Sequence, residues 1–264
     1  MKKPLLRYSV FVLLIIAAFL PAANAFADED PNLAGTPPPP PTQMPNGPFI
    51  PVEPLAESGE LVLEGVGETE EYKLEYSISV PDIKDARADY LNEEFKEDLR
   101  YYRDDFAPMF LLDFFDFYAI EGIMDVCSLD VDYIVTYNDG NIMSILFREA
   151  TTAGDLFSEN FTSLTYSFEL GYEFALDDVI QTENNPYALA VALINTEIEK
   201  VRGTDGDIWG YYDYVNEDLI AAYLSETAFY LNGEGQVVLY LNPICISPCT
   251  SGICEFPVPD LLME

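Results

Sequence analysis

The chain has 264 residues, with 47 acidic side chains against 12 basic ones and a formal net charge of −35. That charge repels nucleic acid and anionic membrane surfaces, and excludes both as partners. The absence of histidine excludes Ser-His and Cys-His nucleophilic pairs and histidine-held hydrolytic metals, while 49% hydrophobic and 14% aromatic residues rule out a disordered chain.

Residues 1–27 read as a secretory signal peptide. Lys2, Lys3 and Arg7 form a basic start, Val10 to Leu20 an apolar run, and Ala23, Ala25 and Ala27 a small-residue cleavage region. The run is too short for a spanning helix, which needs about 20 residues. No transmembrane segment is expected after cleavage, and export to the cell envelope or beyond is expected. Residues 28–58 read as a Pro-rich tether containing PPPPPTQMPNGPFIPVEP, a composition that favours extended polyproline II. The folded domain is expected over 59–264, opening at Gly59, with two lobes, 59–125 and 126–264, as the alternative division.

Leu61, Leu63 and Val66 predict a short strand. In YKLEYSISV, Tyr72, Leu74, Tyr76, Ile78 and Val80 alternate onto one face, and Pro81 ends the strand. Ile83, Ala86, Tyr90, Leu91, Phe95, Leu99, Tyr102 and Phe106 recur at helical spacing, with Asp82 as N-cap and Pro108 as stop or kink. The next segment, FLLDFFDFYAI, reads as a buried helix turn or strand with Asp113 and Asp116 at its edge. An exposed aromatic binding surface is the functional alternative.

Leu129, Val131, Tyr133, Val135 and Tyr137 alternate onto one face of a second strand. Asn138-Asp139-Gly140-Asn141 predicts a hairpin, and IMSILFREAT the return strand. NFTSLTYSFEL is again β-rich. A short turn over Phe174–Ile180 leads to an amphipathic helix over Pro186–Val201, built on Ala190, Leu193, Ile194, Ile198 and Val201. Glu217–Leu224 predicts a third helix. Asp205 to Asp218 partly fits a calcium loop, with Gly210 sixth, but Trp209 is fifth and Asn216 stands where a bidentate Glu belongs; a solvated loop is the expectation. TAFYLNGEGQVVLYL closes the fold as a hairpin turning at Asn232–Gly235. Strands and helices are segregated, which predicts an α+β fold: a largely antiparallel sheet packed with two or three helices.

The four cysteines are Cys127, Cys245, Cys249 and Cys254. Their spacing and the missing histidines disfavour zinc, and export favours oxidation. Two disulfides are therefore expected, with connectivity open. No metal and no cofactor is expected.

The closing stretch FYLNGEGQVVLYLNPICISPCTSGICEFPVPDLL resembles the C-terminal signature of the extracellular domain family of the anti-sigma-V factor, also found beside polysaccharide-deacetylase domains. Phe229, Tyr230, Leu231, Val237, Val238, Tyr240, Pro243, Ile246, Pro248, Gly252, Phe256 and Pro259 carry the likeness. Tyr76–Pro81 with Leu91, Asn92 and Phe95, then YIVTYNDGNIMSILFREATTAGD and LTYSFELGYEFALDDVI, extend it over residues 70–262. Two departures stand out. Thr152-Ala153-Gly154-Asp155 replaces a histidine-containing family loop, and Cys245 and Cys249 stand where aromatics are usual. The resemblance implies an exported, non-enzymatic binding domain, and in the anti-sigma factor the ligand is lysozyme. A cationic protein of that kind, or a peptidoglycan glycan, is the expected partner. The rivals are a carboxylate-dependent enzyme acting on peptidoglycan and a structural envelope protein without soluble ligand. The sequence assigns no catalytic residue and no ligand contact.

Overall fold

The computed structural model describes residues 49–64, 71–118, 126–153, 156–180, 182, 185–202, 215–242 and 252–259. The leader, most of the tether, Gly154, Asp155, Cys245, Cys249 and most of the Asp205–Asp218 segment lie outside the described residues. Six strands form one sheet in the order β1 (Val52–Glu64), β2 (Glu71–Ile83), β3 (Val126–Asn138), β4 (Ile142–Ala153), β5 (Leu156–Ser167) and β6 (Tyr172–Glu173). All neighbours are antiparallel except β2 and β3, which run parallel from Lys73 opposite Val126 to Ile78 opposite Val131. A parallel pair needs a crossover, and helices α1 (Asp89–Tyr101) and α2 (Ala107–Tyr118) supply it. The α+β expectation is met. The alternative boundary at 125/126 falls inside one sheet, because β2 and β3 are neighbours.

The two faces of the sheet carry separate cores. On one face Leu74, Ile78, Leu129, Met143, Ile145 and Phe147 pack against Leu91, Phe95 and Leu99 of α1. On the other, Leu146 and Phe161 meet α3 (Leu176–Val179), α4 (Pro186–Arg202), α5 (Glu217–Tyr223) and a three-stranded sheet of β7 (Phe229–Leu231), β8 (Val237–Leu241) and β9 (Cys254–Pro257). Strand alternation makes this layering possible: Ile145 and Phe147 point one way and Leu146 the other. Each fully buried side chain of this size contributes about 1.5–3 kcal/mol. A polar seam joins the second layer to the sheet. Ser144 Oγ meets Thr165 Oγ1 at 2.8 Å and accepts from Leu231 N–H at 3.0 Å. Ser163 Oγ donates to the Phe229 carbonyl at 2.7 Å.

Four expectations are corrected by geometry. First, the domain opens before Gly59. Val52–Ser58 already belongs to β1, and Ile50 is buried. Pro51 and Pro54 are tolerated because β1 is an edge strand, which needs no donors on its outer side. Second, Pro81 does not end β2; pairing with β3 stops at Ile78, so only β1 faces Pro81. Third, Pro108 does not break the helix. A π segment, Tyr102–Phe106, precedes it, with Ala107 N–H donating to the Tyr102 carbonyl. The wider turn accommodates the proline ring without ending the helical path. Asp82 is not the cap: a 3-10 turn, Ala86–Ala88, is capped by Asp85, whose side chain accepts from Arg87 N–H, and it leads into α1, whose N-cap position, Ala88, has no side-chain cap. Fourth, Tyr137 leaves the face of Val135. A bulge shifts the register between them and sends Tyr137 to the second core.

Candidate functional site

Charge is unevenly spread along the chain, and the fold turns this into two unlike layers. No Lys or Arg occurs from Glu149 to Glu199, and none from Gly203 to Glu264. The second layer is built from these stretches. Its cations are Lys200 and Arg202, at the end of α4, and Lys200 pairs with Glu197. Glu169, Asp177, Asp178, Glu217, Asp218, Glu226 and Glu234 are exposed on or beside this layer. Elsewhere five of the described cations pair with acids: Lys84 with Glu53 and Asp82, Arg87 with Asp85, Lys96 with Glu93, Arg103 with Glu57 and Asp104, and Arg148 with Asp132 and Glu159.

Within the acidic layer a cavity of about 470 Å³ is lined by Ala175, Leu176, Asp177, Asn185, Pro186, Tyr187 and Glu226. Local sequence builds each wall. Asn185 Oδ1 accepts from Tyr187 N–H at 2.9 Å and Ala188 N–H at 3.3 Å, which fixes the start of α4. Pro186 sits at the first helical position, where its missing N–H costs nothing. The Tyr187 hydroxyl donates to the carbonyls of Leu224 (3.0 Å) and Ala221, tying α4 to α5. Leu176 N–H donates to the Glu226 carbonyl at 2.9 Å, bringing Asp177 and Glu226 to one rim. Beside the rim, the Tyr172 hydroxyl donates to Asp178 Oδ1 at 3.1 Å, and Asp178 Oδ2 accepts from Ala175 N–H. Leu170 and Tyr172 are exposed there, at 60% and 43%. Two carboxylates over an apolar wall of Leu176, Pro186 and the Tyr187 ring suit the cationic head and aliphatic stem of Lys or Arg.

A second acidic group lies on the opposite face of the sheet, under α1. Asp98 is 8% exposed, and its Oδ2 has no hydrogen-bond partner. Burial, with Glu94 and Glu97 nearby, pushes its pKa from 3.8 up to about 7. One helical turn on, the Tyr102 hydroxyl donates to Glu149 Oε2 on β4 at 2.8 Å. Burial raises the Glu149 carboxyl as well, against the stabilising hydroxyl, and holds Tyr102 well above its usual range.

Of the four cysteines, Cys127 and Cys254 lie among the described residues. Cys127 is a free, buried thiol at the start of β3, with Sγ donating to the Lys73 carbonyl at 3.4 Å. Burial pushes it up to about 11. Cys254 is buried on β9 in the other core, so sheet and strands separate these two sulfurs and no bond joins them. The closing segment is held by backbone: Leu241 pairs with Cys254, and Val258 N–H donates to the Val237 carbonyl. Of the calcium-loop residues, Asn216 instead caps α5, accepting from Leu219 N–H at 3.0 Å. Phe110 and Leu111 are buried on α2, while Leu112 is 51% exposed, in line with the buried-helix reading of that part of the segment.

No family model and no curated protein matches the chain. Among the solved structures that resemble it are two DUF3298 family proteins. One is a member of the DUF3298 family from Bacteroides fragilis, 15% identical, with a TM-score of 0.45, covering 80% of this chain and 91% of that one. The other is a DUF3298 family protein from Pseudomonas aeruginosa, 13% identical, with a TM-score of 0.47, covering 80% and 90%. The structural neighbours are DUF3298 family proteins. At these values the likeness carries no argument about the site, and the fold rests on the strand register described above.

Proposed function

We propose that this is an exported binding domain that takes a cationic protein on its second layer, with a Lys or Arg side chain entering the cavity between Asp177 and Glu226. One observation carries the reading: the stretches that build this layer have no cation from Glu149 to Glu199 or from Gly203 onward, while the cavity opens among their carboxylates. Such a field steers a positive partner and weakens with salt. Exposed Leu170 and Tyr172 add apolar area of the kind that anchors an interface. The resemblance to the extracellular domain of the anti-sigma-V factor supports lysozyme as the first probe.

The experiment is calorimetric titration with lysozyme at low and high salt. For the wild type, affinity falls as salt rises. The double charge reversal Asp177→Lys, Glu226→Lys weakens low-salt binding at least tenfold. Reversal of Glu93 and Asp104, on the other layer, leaves it unchanged. Equal losses from both double variants would sink the placement, and no heat at low salt would sink lysozyme as the ligand.

A further inference from the structure

The group formed by Asp98, Tyr102 and Glu149 has no part in the binding layer, and it is costly. A buried carboxyl oxygen without a partner loses its hydration and gains no hydrogen bond. Its position is specific. Asp98 shares the inward stripe of α1 with Leu91, Phe95 and Leu99, all under 4% exposed. The Tyr102 N–H, which opens the π segment, donates to the carbonyls of Asp98 and Leu99. The same residue's hydroxyl reaches across to Glu149 on β4. Backbone and side chain of Tyr102 therefore join the end of α1, the π segment and the sheet at one point. π segments inside helices are rare and recur at functional positions.

We propose that Asp98 is a proton-operated catch for this junction: protonated, it lets the end of α1 lie on the sheet; ionised, it releases the junction toward water. Among the described residues, an ionised Asp98 has no cation to meet. Glu94 and Glu97 of its own helix repel it. From β4 the acidic Glu149 stands behind Tyr102. From β2 and β3 the titratable side chains in this core cluster are Tyr72, Tyr76, Cys127 and Tyr133, none of them basic. The cation of the π segment, Arg103, is engaged by Asp104 and by Glu57 of β1. The charge therefore finds relief only by opening the junction. With the carboxyl near 7 folded against 3.8 free, ionisation favours any state that hydrates it by up to about a thousandfold. Acid surroundings close the catch, and mildly alkaline ones loosen it.

Hydrogen exchange, corrected for the intrinsic pH dependence of the chemistry, tests this on the full chain. In the wild type, the opening constant of amides 99–107 rises at least tenfold from pH 5.5 to pH 8, while amides of α4 stay level. In Asp98→Asn, which cannot ionise, the same amides stay level within twofold. A flat wild-type profile, or an Asp98→Asn profile with the wild-type slope, would overturn the proposal. Carboxyl carbon NMR of the wild type supplies a readout that needs no variant: Asp98 titrating above pH 6 supports the catch, and titration below pH 5 overturns it.

Discussion

Asn138 decides where the domain begins, and its removal can be worked through. Its side chain is 2% exposed. The amide accepts from Ile50 N–H at 3.1 Å, donates to the Ile50 carbonyl at 2.7 Å and accepts from Gly140 N–H at 3.2 Å. Asn138→Ala strands three backbone groups. Left buried, each would cost about 1–3 kcal/mol, so that about 5 kcal/mol is at stake. The chain has a cheaper route. Ile50 precedes β1, and its segment can peel away, hydrating its own N–H and C=O. The loss is then capped by what seating Ile50 contributes, about 2 kcal/mol for one buried aliphatic side chain, plus a share for Gly140. The smaller figure wins: urea unfolding should show a loss of about 2–3 kcal/mol with an unchanged slope. Limited proteolysis should show new cutting near Phe49–Val52, with the rest intact. A loss below about 0.5 kcal/mol, well short of one seated aliphatic side chain, would refute the claim that Phe49–Ser58 belongs to the fold.

Two further outcomes follow from buried groups. Asp98 has a higher pKa folded, about 7, than the ordinary aspartate value of 3.8, so the folded state holds the extra proton between those values. Its stability contribution is intact below pH 3.8 and is lost as pH rises through about 7, a swing of about 4 kcal/mol from that one carboxyl. Asp98→Asn should therefore be more stable than the wild type at pH 8 and no more stable at pH 4, by urea unfolding at each pH; an equal difference at both would contradict the assignment. Cys127, buried and pushed up to about 11, should resist iodoacetamide in the native protein at pH 8 and react fully in urea. Rapid native alkylation, or a Cys127 disulfide found by mass spectrometry, would contradict its placement as a buried free thiol.

Sequence pattern was most informative where local physics decides. The alternation of Leu74, Ile78 and Val80, the turn at Asn138–Gly140 with Gly140 at φ 88°, and the stripe of Ala190, Ile194 and Ile198 all stand as expected. Misreadings came where a distant partner overrides a local rule. Pro54 read as part of the tether and Pro81 as the end of a strand, yet they face each other at the margin of the sheet, where few donors are required. Tyr137 obeys alternation until a bulge moves it, and nothing in DYIVTYN announces that bulge. The parallel pairing of β2 with β3 depends on a crossover that propensity does not encode. For Asp98 a signal was present: an acid on the stripe of Leu91, Phe95, Leu99 and Tyr102 cannot be solvated. The rim of the cavity was not legible, because Asp177 on α3 and Glu226 beyond α5 are brought together only by a long-range backbone bond, Leu176 N–H to the Glu226 carbonyl.

The central claim is that the cation-poor layer is the binding face. Hydrogen exchange of the lysozyme complex at low salt addresses it directly. The account predicts new protection over residues 169–180 and 217–226, fading as salt is added. Protection confined to α1, α2 or the β1 edge, or no complex at low salt, would contradict it.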